Sequence, residues 1–199
     1  MQPKIEDLGL GVQKITPLAY NAVGVAQLSD FGTSMFSKYK VRRIEIPGSV
    51  AHPTDLVESA ALSSVLSPVP TYQPHLHTDV VARGALSDVQ LEAIVYAGEA
   101  HSKYLPYHPD DDQMIPPRQG IILGHGTGFG KGATIAGIIA DNWAQGRRRH
   151  VWISESAHLI NDARRDWVAN GGRADDIIDI RELSSDTAFA PFSGIIFAT

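Results

Sequence analysis

The residues best suited to chemistry lie in one stretch, Gly120-Ile121-Ile122-Leu123-Gly124-His125-Gly126-Thr127-Gly128-Phe129-Gly130-Lys131-Gly132. A short apolar run enters a glycine-rich turn, the turn ends in Gly-Lys, and a helical pattern follows. Strand, glycine loop, lysine and helix in that order are what a phosphate-binding P-loop requires. Glycines let the backbone turn tightly and bring its N–H groups close to a polyphosphate. The helix N-terminus adds a partial positive charge and Lys131 a full one. The fit to G-x-x-x-x-G-K-[ST] is incomplete. His125 stands at the first glycine position, and Gly132 stands where a hydroxyl normally holds Mg2+. The candidate cradle is Gly126, Thr127, Gly128, Phe129, Gly130, Lys131, Gly132 and Ala133, with Lys131 as its catalytic cation. A glycine turn without a ligand is the competing reading.

Other polar groups carry weaker signals. His75-Leu76-His77 places two imidazoles on one face of an extended segment, with no third ligand recognisable nearby. Asp110-Asp111-Asp112 lacks the spacing and the glycine of a calcium loop and reads as a solvated loop. Arg42-Arg43 reads as a solvated strand face, with phosphate contact as the alternative. Gln90 has two readings. Three residues after Ser87 it completes an S-x-x-Q capping box. Its carboxamide can also pair with an adenine edge.

These groups need a scaffold, and the 199 residues suffice for one domain with a long arm. The chain is 43% hydrophobic and 20% charged, within the range of soluble globular proteins. A net charge of -5 is unlike a strongly basic nucleic-acid binder, although a local basic groove can sit in an acidic domain. The absence of cysteine excludes disulfides and thiolate zinc sites. No apolar run approaches spanning length and no signal-peptide core follows the N-terminal lysine, so no membrane contact and a cytoplasmic location are expected.

Along the chain, residues 1–45 read as an irregular arm or linker, with one short helix and then a strand over Tyr39–Ile46. Residues 46–85 read as an extended and helical strap. A short helix is expected from Pro53 or Thr54 to Val65, followed by the connector Pro68-Val69-Pro70-Thr71-Tyr72-Gln73-Pro74. Residues 86–199 alternate. A helix capped by Ser87 carries Leu91, Ile94 and Val95 inward, and the P-loop with its entering strand follows. Next come a helix over Lys131–Gln145, a strand at His150–Ser154 and a helix over Ser156–Ala169. Strands at Asp176–Leu183 and Ser193–Thr199 complete the pattern. It predicts an α/β fold with a parallel sheet.

Several of these residues together resemble a known family. They are Gly124–Gly132, Ile135-Ala136-Gly137-Ile138-Ile139-Ala140-Asp141-Asn142, Gly146-Arg147-Arg148-Arg149, Val151-Trp152-Ile153-Ser154, Asp162-Ala163-Arg164-Arg165-Asp166-Trp167 and Ile195-Ile196-Phe197-Ala198-Thr199. This set resembles the ATPase half of Strawberry notch-type helicases of superfamily two. The likeness reaches back through Leu86–Ala93 to His52-Pro53 and Leu56-Val57-Glu58-Ser59, about residues 45–199. It implies a P-loop NTPase (RecA-like) lobe, of which residues 86–199 would be an incomplete first part. ATP and Mg2+ are the implied cofactors. Nucleic acid, expected to be DNA, is the implied partner of the full-length protein, with a methylase domain or protein sometimes alongside.

The resemblance also assigns roles. Gln90 falls where such helicases read adenine. Lys-Gly after the loop is ordinary for the family, Thr134 would support the metal through water, and Thr127 is the other hydroxyl candidate. Ser154 and Ser156 fall where related motors touch a single strand, with Arg164 and Arg165 on the next helix. His125 departs from the expected aspartate, which puts the loop's local charge in question. The carboxylate box and the second lobe that hydrolysis needs are not recognisable in the sequence. A truncated module that docks DNA or protein without catalysis is the alternative.

Overall fold

The computed structural model describes residues 15–23, 35–106, 116–183 and 192–199. Most of the expected arm, His108 and the Asp110–Asp112 run lie outside the described residues.

The first part of the chain is built from short strands: β1 (Ile15–Pro17), β2 (Asn21–Ala22), β3 (Phe36–Lys38), β4 (Ile44–Glu45) and β5 (Val57–Ser59). Helix α1 (Ala60–Ser63), strand β6 (His75–His77) and helix α2 (Thr78–Ala82) follow. The strands pair antiparallel across long sequence gaps, β1 with β6, β2 with β4 and β3 with β5. Two expectations are corrected here. The strand over Tyr39–Ile46 contracts to Ile44–Glu45. The helix over 53–65 is instead β5 plus one turn of helix capped by Ser59, whose hydroxyl accepts from the Leu62 N–H. Pairing of residues 57–59 with residues 36–38 supplies backbone partners that a lone helix of that length could not match.

The second part holds α3 (Asp88–His101), α4 (Lys131–Ala144), β7 (Arg149–Ile153), α5 (Ile160–Ala169), β8 (Ile177–Asp179) and β9 (Gly194–Ala198). The last three strands form a parallel sheet in the order β7-β9-β8, as the alternating pattern predicts. Trp152, Ile177, Ile195 and Phe197 point to one face and pack with Ala136, Ile139 and Trp143 of α4 and with Ala163 and Trp167 of α5. A second core joins Leu18, Ile44, Leu76 and Val80 to Leu91, Ile94 and Val95 of α3, with Ile138 of α4 packed against it. Helix α4 is therefore gripped on two sides, which fixes the loop at its N-terminus.

The connector between α1 and β6 lies along α3 and α4. The buried Asp141 carboxylate accepts from the Tyr72 hydroxyl, the His75 N–H and the Gln145 side chain at 2.7–2.9 Å. Glu99 accepts from the Thr71 and Tyr72 N–H groups at 3.0 and 2.9 Å.

The strand expected to enter the P-loop is absent. Residues 119–126 have no regular structure, and Ile122 is 94% exposed. A strand exists only through a partner, and none of the described strands lies beside this segment.

Candidate functional site

Two glycines give the loop its curvature. Gly128 and Gly130 sit at φ of +85° and +78°, a region that L side chains rarely adopt. Gly130 is constrained twice, because a Cβ there would also lie 2.6 Å from Gln90 Nε2.

The side chains that reach the loop take its carbonyls. Lys131 folds back across it, and Nζ donates to the His125 and Gly126 oxygens at 3.0 and 2.9 Å. An ammonium has three donors, so one remains for an anion. From the other side, Gln90 Nε2 donates to the Phe129 and Gly130 oxygens, both at 3.2 Å. Its Oε1 accepts from the Ser87 N–H at 2.9 Å and the Ser87 hydroxyl at 3.2 Å. The capping box is thus made, and the amide group that would read adenine is turned onto the loop instead.

His52 is a member of the site that motif spacing does not reveal. Its ring stacks with Phe129 at 5.2 Å between centroids and 14° between planes, and His125 stacks with the same phenyl ring at 3.7 Å. The Thr54 N–H donates to His52 Nδ1 at 3.3 Å, which leaves the proton on Nε2. Nε2 then donates to the Phe129 oxygen at 3.2 Å. Both lone pairs of that carbonyl are engaged, one by His52 and one by Gln90. No peptide bond here is cis, so the N–H of each unit points opposite to its C=O. Clasping the Phe129 and Gly130 oxygens therefore aims the Gly130 and Lys131 N–H groups the other way. Burial first, and then the Lys131 charge, push His125 below its ordinary value, so it is neutral near pH 7 and adds no charge of its own.

The expected metal residues are redistributed. Thr134 is fully buried, and its hydroxyl turns back 3.4 Å to the Gly130 oxygen, so the role through water assigned to it is not supported by this geometry. Thr127 lies on the exposed turn. At Gly132 an added Cβ would meet Asp166 Oδ2 at 2.2 Å. A carboxylate oxygen, a hard ligand of the kind Mg2+ takes, thus lies beside residue 132 at the head of α4. Elsewhere His77 is buried with Nδ1 3.2 Å from Asp79 Oδ1, and among the described residues no three His, Asp or Glu side chains converge.

The residues expected to meet nucleic acid divide. Ser154 directly follows β7, with its N–H on the Ala198 oxygen at 2.9 Å, and Ser156 comes two residues later, half-buried like Ser154. Arg164 Nη2 donates to the Ile177 oxygen at 3.0 Å and ties α5 to β8. Arg165 is exposed but paired with Asp162 and Asp166. No described helix is long and apolar enough to cross a membrane.

Comparison with known proteins agrees with this geometry. The family model described as P-loop containing NTP hydrolase pore-1 matches residues 51–199. Protein strawberry notch homolog 1 of Gallus gallus is 37% identical over 169 residues, covering 82% of this chain and 13% of that protein. Protein strawberry notch of Drosophila melanogaster is 39% identical over 153 residues, covering 74% of this chain and 9% of that protein. Human strawberry notch homolog 2 is 44% identical over 115 residues, covering 58% of this chain and 8% of that protein. The chain thus spans a small fraction of the length of these relatives. No solved structure gives a significant match. A glycine loop closed by Lys131 at the head of α4, beside a parallel sheet, and a family match that contains both, place this chain in the P-loop containing NTP hydrolase pore-1 family, with the strawberry notch proteins as its relatives.

Proposed function

We propose that this chain is the ATP-binding part of a DNA-dependent ATPase or helicase of the strawberry notch type. The observation that carries the reading is the clasped loop. Lys131 spans its front, and His52 and Gln90 hold the Phe129 and Gly130 carbonyls at its back. The Gly130 and Lys131 N–H groups, at the head of a helix, donate to phosphate oxygens. Lys131 offsets the charge of the β- and γ-phosphates. Mg2+, bound with the nucleotide, would supply charge neutralisation, with Thr127 and Asp166 as the oxygen ligands nearest in kind.

Hydrolysis needs an activating carboxylate and an arginine at the γ-phosphate. The 199-residue chain is therefore expected to bind ATP weakly and hydrolyse little of it. In the longer protein, hydrolysis would drive movement on nucleic acid, with the Ser154–Ser156 turn as the proposed contact to one strand. Calorimetric titration with ATP in Mg2+ tests the reading. A micromolar dissociation constant is expected, weakened by roughly 10- to 100-fold in Lys131→Ala through loss of a charged hydrogen bond. No binding by the unaltered chain would leave the docking-module alternative.

A further inference from the structure

The space beside Gly132 is taken by a side chain from another element. A Cβ added there would lie 2.2 Å from Asp166 Oδ2 and 3.4 Å from Asp166 Cγ, so any larger residue would require the Asp166 carboxylate to turn away. A carboxylate oxygen from α5 fills the space a residue-132 side chain would take. That carboxylate is held in place. Arg165 Nε and Nη2 donate to Oδ1 at 3.1 and 3.0 Å, and the Asp166 side chain is only 15% exposed. Oδ2 has no donor among the described residues. The buried Thr134 hydroxyl is already committed to the Gly130 oxygen.

We infer that Asp166 supplies, through Oδ2, the metal-directed oxygen that Gly132 withholds, so that the divalent cation accompanying a nucleoside triphosphate is met by a carboxylate from α5. The inference rests on the nucleotide reading above and names the ligand of that same site. Mg2+ takes hard oxygen ligands, and one or two carboxylates with substrate phosphates are its usual protein set. The hydrogen bonds from Arg165 to Oδ1 play the orienting part that outer-shell groups play at metal sites. A carboxylate differs from a hydroxyl in one testable respect, because it carries charge. Without a cation Asp166 repels a polyphosphate, and with one the sign reverses. Nucleotide affinity should then depend on the metal more steeply than a hydroxyl site would allow.

The test is calorimetric titration of the full chain with ATP in excess EDTA and in millimolar Mg2+, with electron paramagnetic resonance of bound Mn2+ as a second readout. Asp166→Asn should bind ATP roughly tenfold or more weakly in Mg2+. In EDTA it should bind equally or more tightly than the unaltered chain, and its Mn2+ signal at saturating ATP should shift toward free ion. Gly132→Ser combined with Asp166→Ala opens the space and returns a hydroxyl, so it should recover part of the metal dependence. Asp166→Asn with an unchanged ratio of affinities in the two buffers would overturn the inference. So would an unaltered chain that binds ATP as tightly in EDTA as in Mg2+, with the nucleotide reading left intact. No binding in either buffer would remove both.

Discussion

At the scale of single residues, the site is defined by what holds carbonyls. Gln90 was half legible. Its cap to Ser87 is local, three residues away, whereas its grip on Phe129 spans 39 residues and no periodicity encodes it. His52 was less legible still, since a lone histidine before a proline has no motif of its own and entered only through the family resemblance. Removing its side chain should loosen the loop. His52→Ala should speed exchange of the Thr134 amide, which donates to the Gly130 oxygen at 3.2 Å, by roughly fivefold, the equivalent of about 1 kcal/mol for one hydrogen bond. His52→Gln, which keeps a donor, should recover part of the protection. Unchanged exchange in the alanine variant would count against the clasp.

Glu92, buried on α3, makes a second residue-scale test. Burial, then the Asp88 charge, lift its carboxyl to about 7, opposed by the hydrogen bond from the Tyr39 hydroxyl and by Arg42. The folded state then holds a proton that the unfolded chain releases near pH 4.5. The protonated form's contribution to stability is complete below about 4.5 and fades as pH rises through about 7, by at most about 3 kcal/mol. Denaturant unfolding from pH 5 to 8 should show that decline, and Glu92→Gln should flatten it. A variant with the same slope would show that the decline has another source.

At the scale of elements, the long helices and the parallel strands β7 and β9 were legible, and the short paired strands of the first part were not. Ile135, Ile138, Ile139 and Trp143 recur at helical spacing, and α4 runs from Lys131 to Ala144. The apolar run at Gly120–Leu123 looks like a strand to any local rule, yet the structure leaves it unpaired. The same holds across the sheet. Trp152 faces α4 and α5, whereas Val151 and Ile153 on the other face of β7 are 63% and 74% exposed. Parallel sheets are ordinarily covered on both faces. Two substitutions should therefore differ sharply. Trp167→Ala, which empties a core position and removes a 2.8 Å hydrogen bond to Asp176, should cost about 3–5 kcal/mol. Ile153→Thr should stay within about 0.5 kcal/mol. Denaturant midpoints decide it, and equal losses would mean that the exposed face is covered in solution.

At the scale of the whole molecule, two cores meet along α4, one with the sheet and one with the N-terminal strands and α3. Composition and alternation gave the α/β class directly, because parallel strands with crossover helices leave a regular imprint. The N-terminal pairing of β1 with β6 joins residues about sixty apart, and nothing in residues 15–17 announces it. That arrangement nonetheless bears on function, since the clasp on Phe129 comes from the segment just after β4. Loop and N-terminal segment are linked, so ATP bound at the loop should also protect His52 and its neighbours from exchange, by the reciprocity of coupled equilibria.

Nucleotide binding at this site depends on the loop's N–H groups meeting phosphate. Backbone amide chemical shifts of the 15N-labelled chain, followed during titration with ATP and separately with adenosine in Mg2+, test that most directly. ATP should move the Gly126–Gly132 resonances in a saturable manner, and adenosine should leave them in place. Shifts confined to residues away from that segment, or identical responses to both ligands, would contradict it.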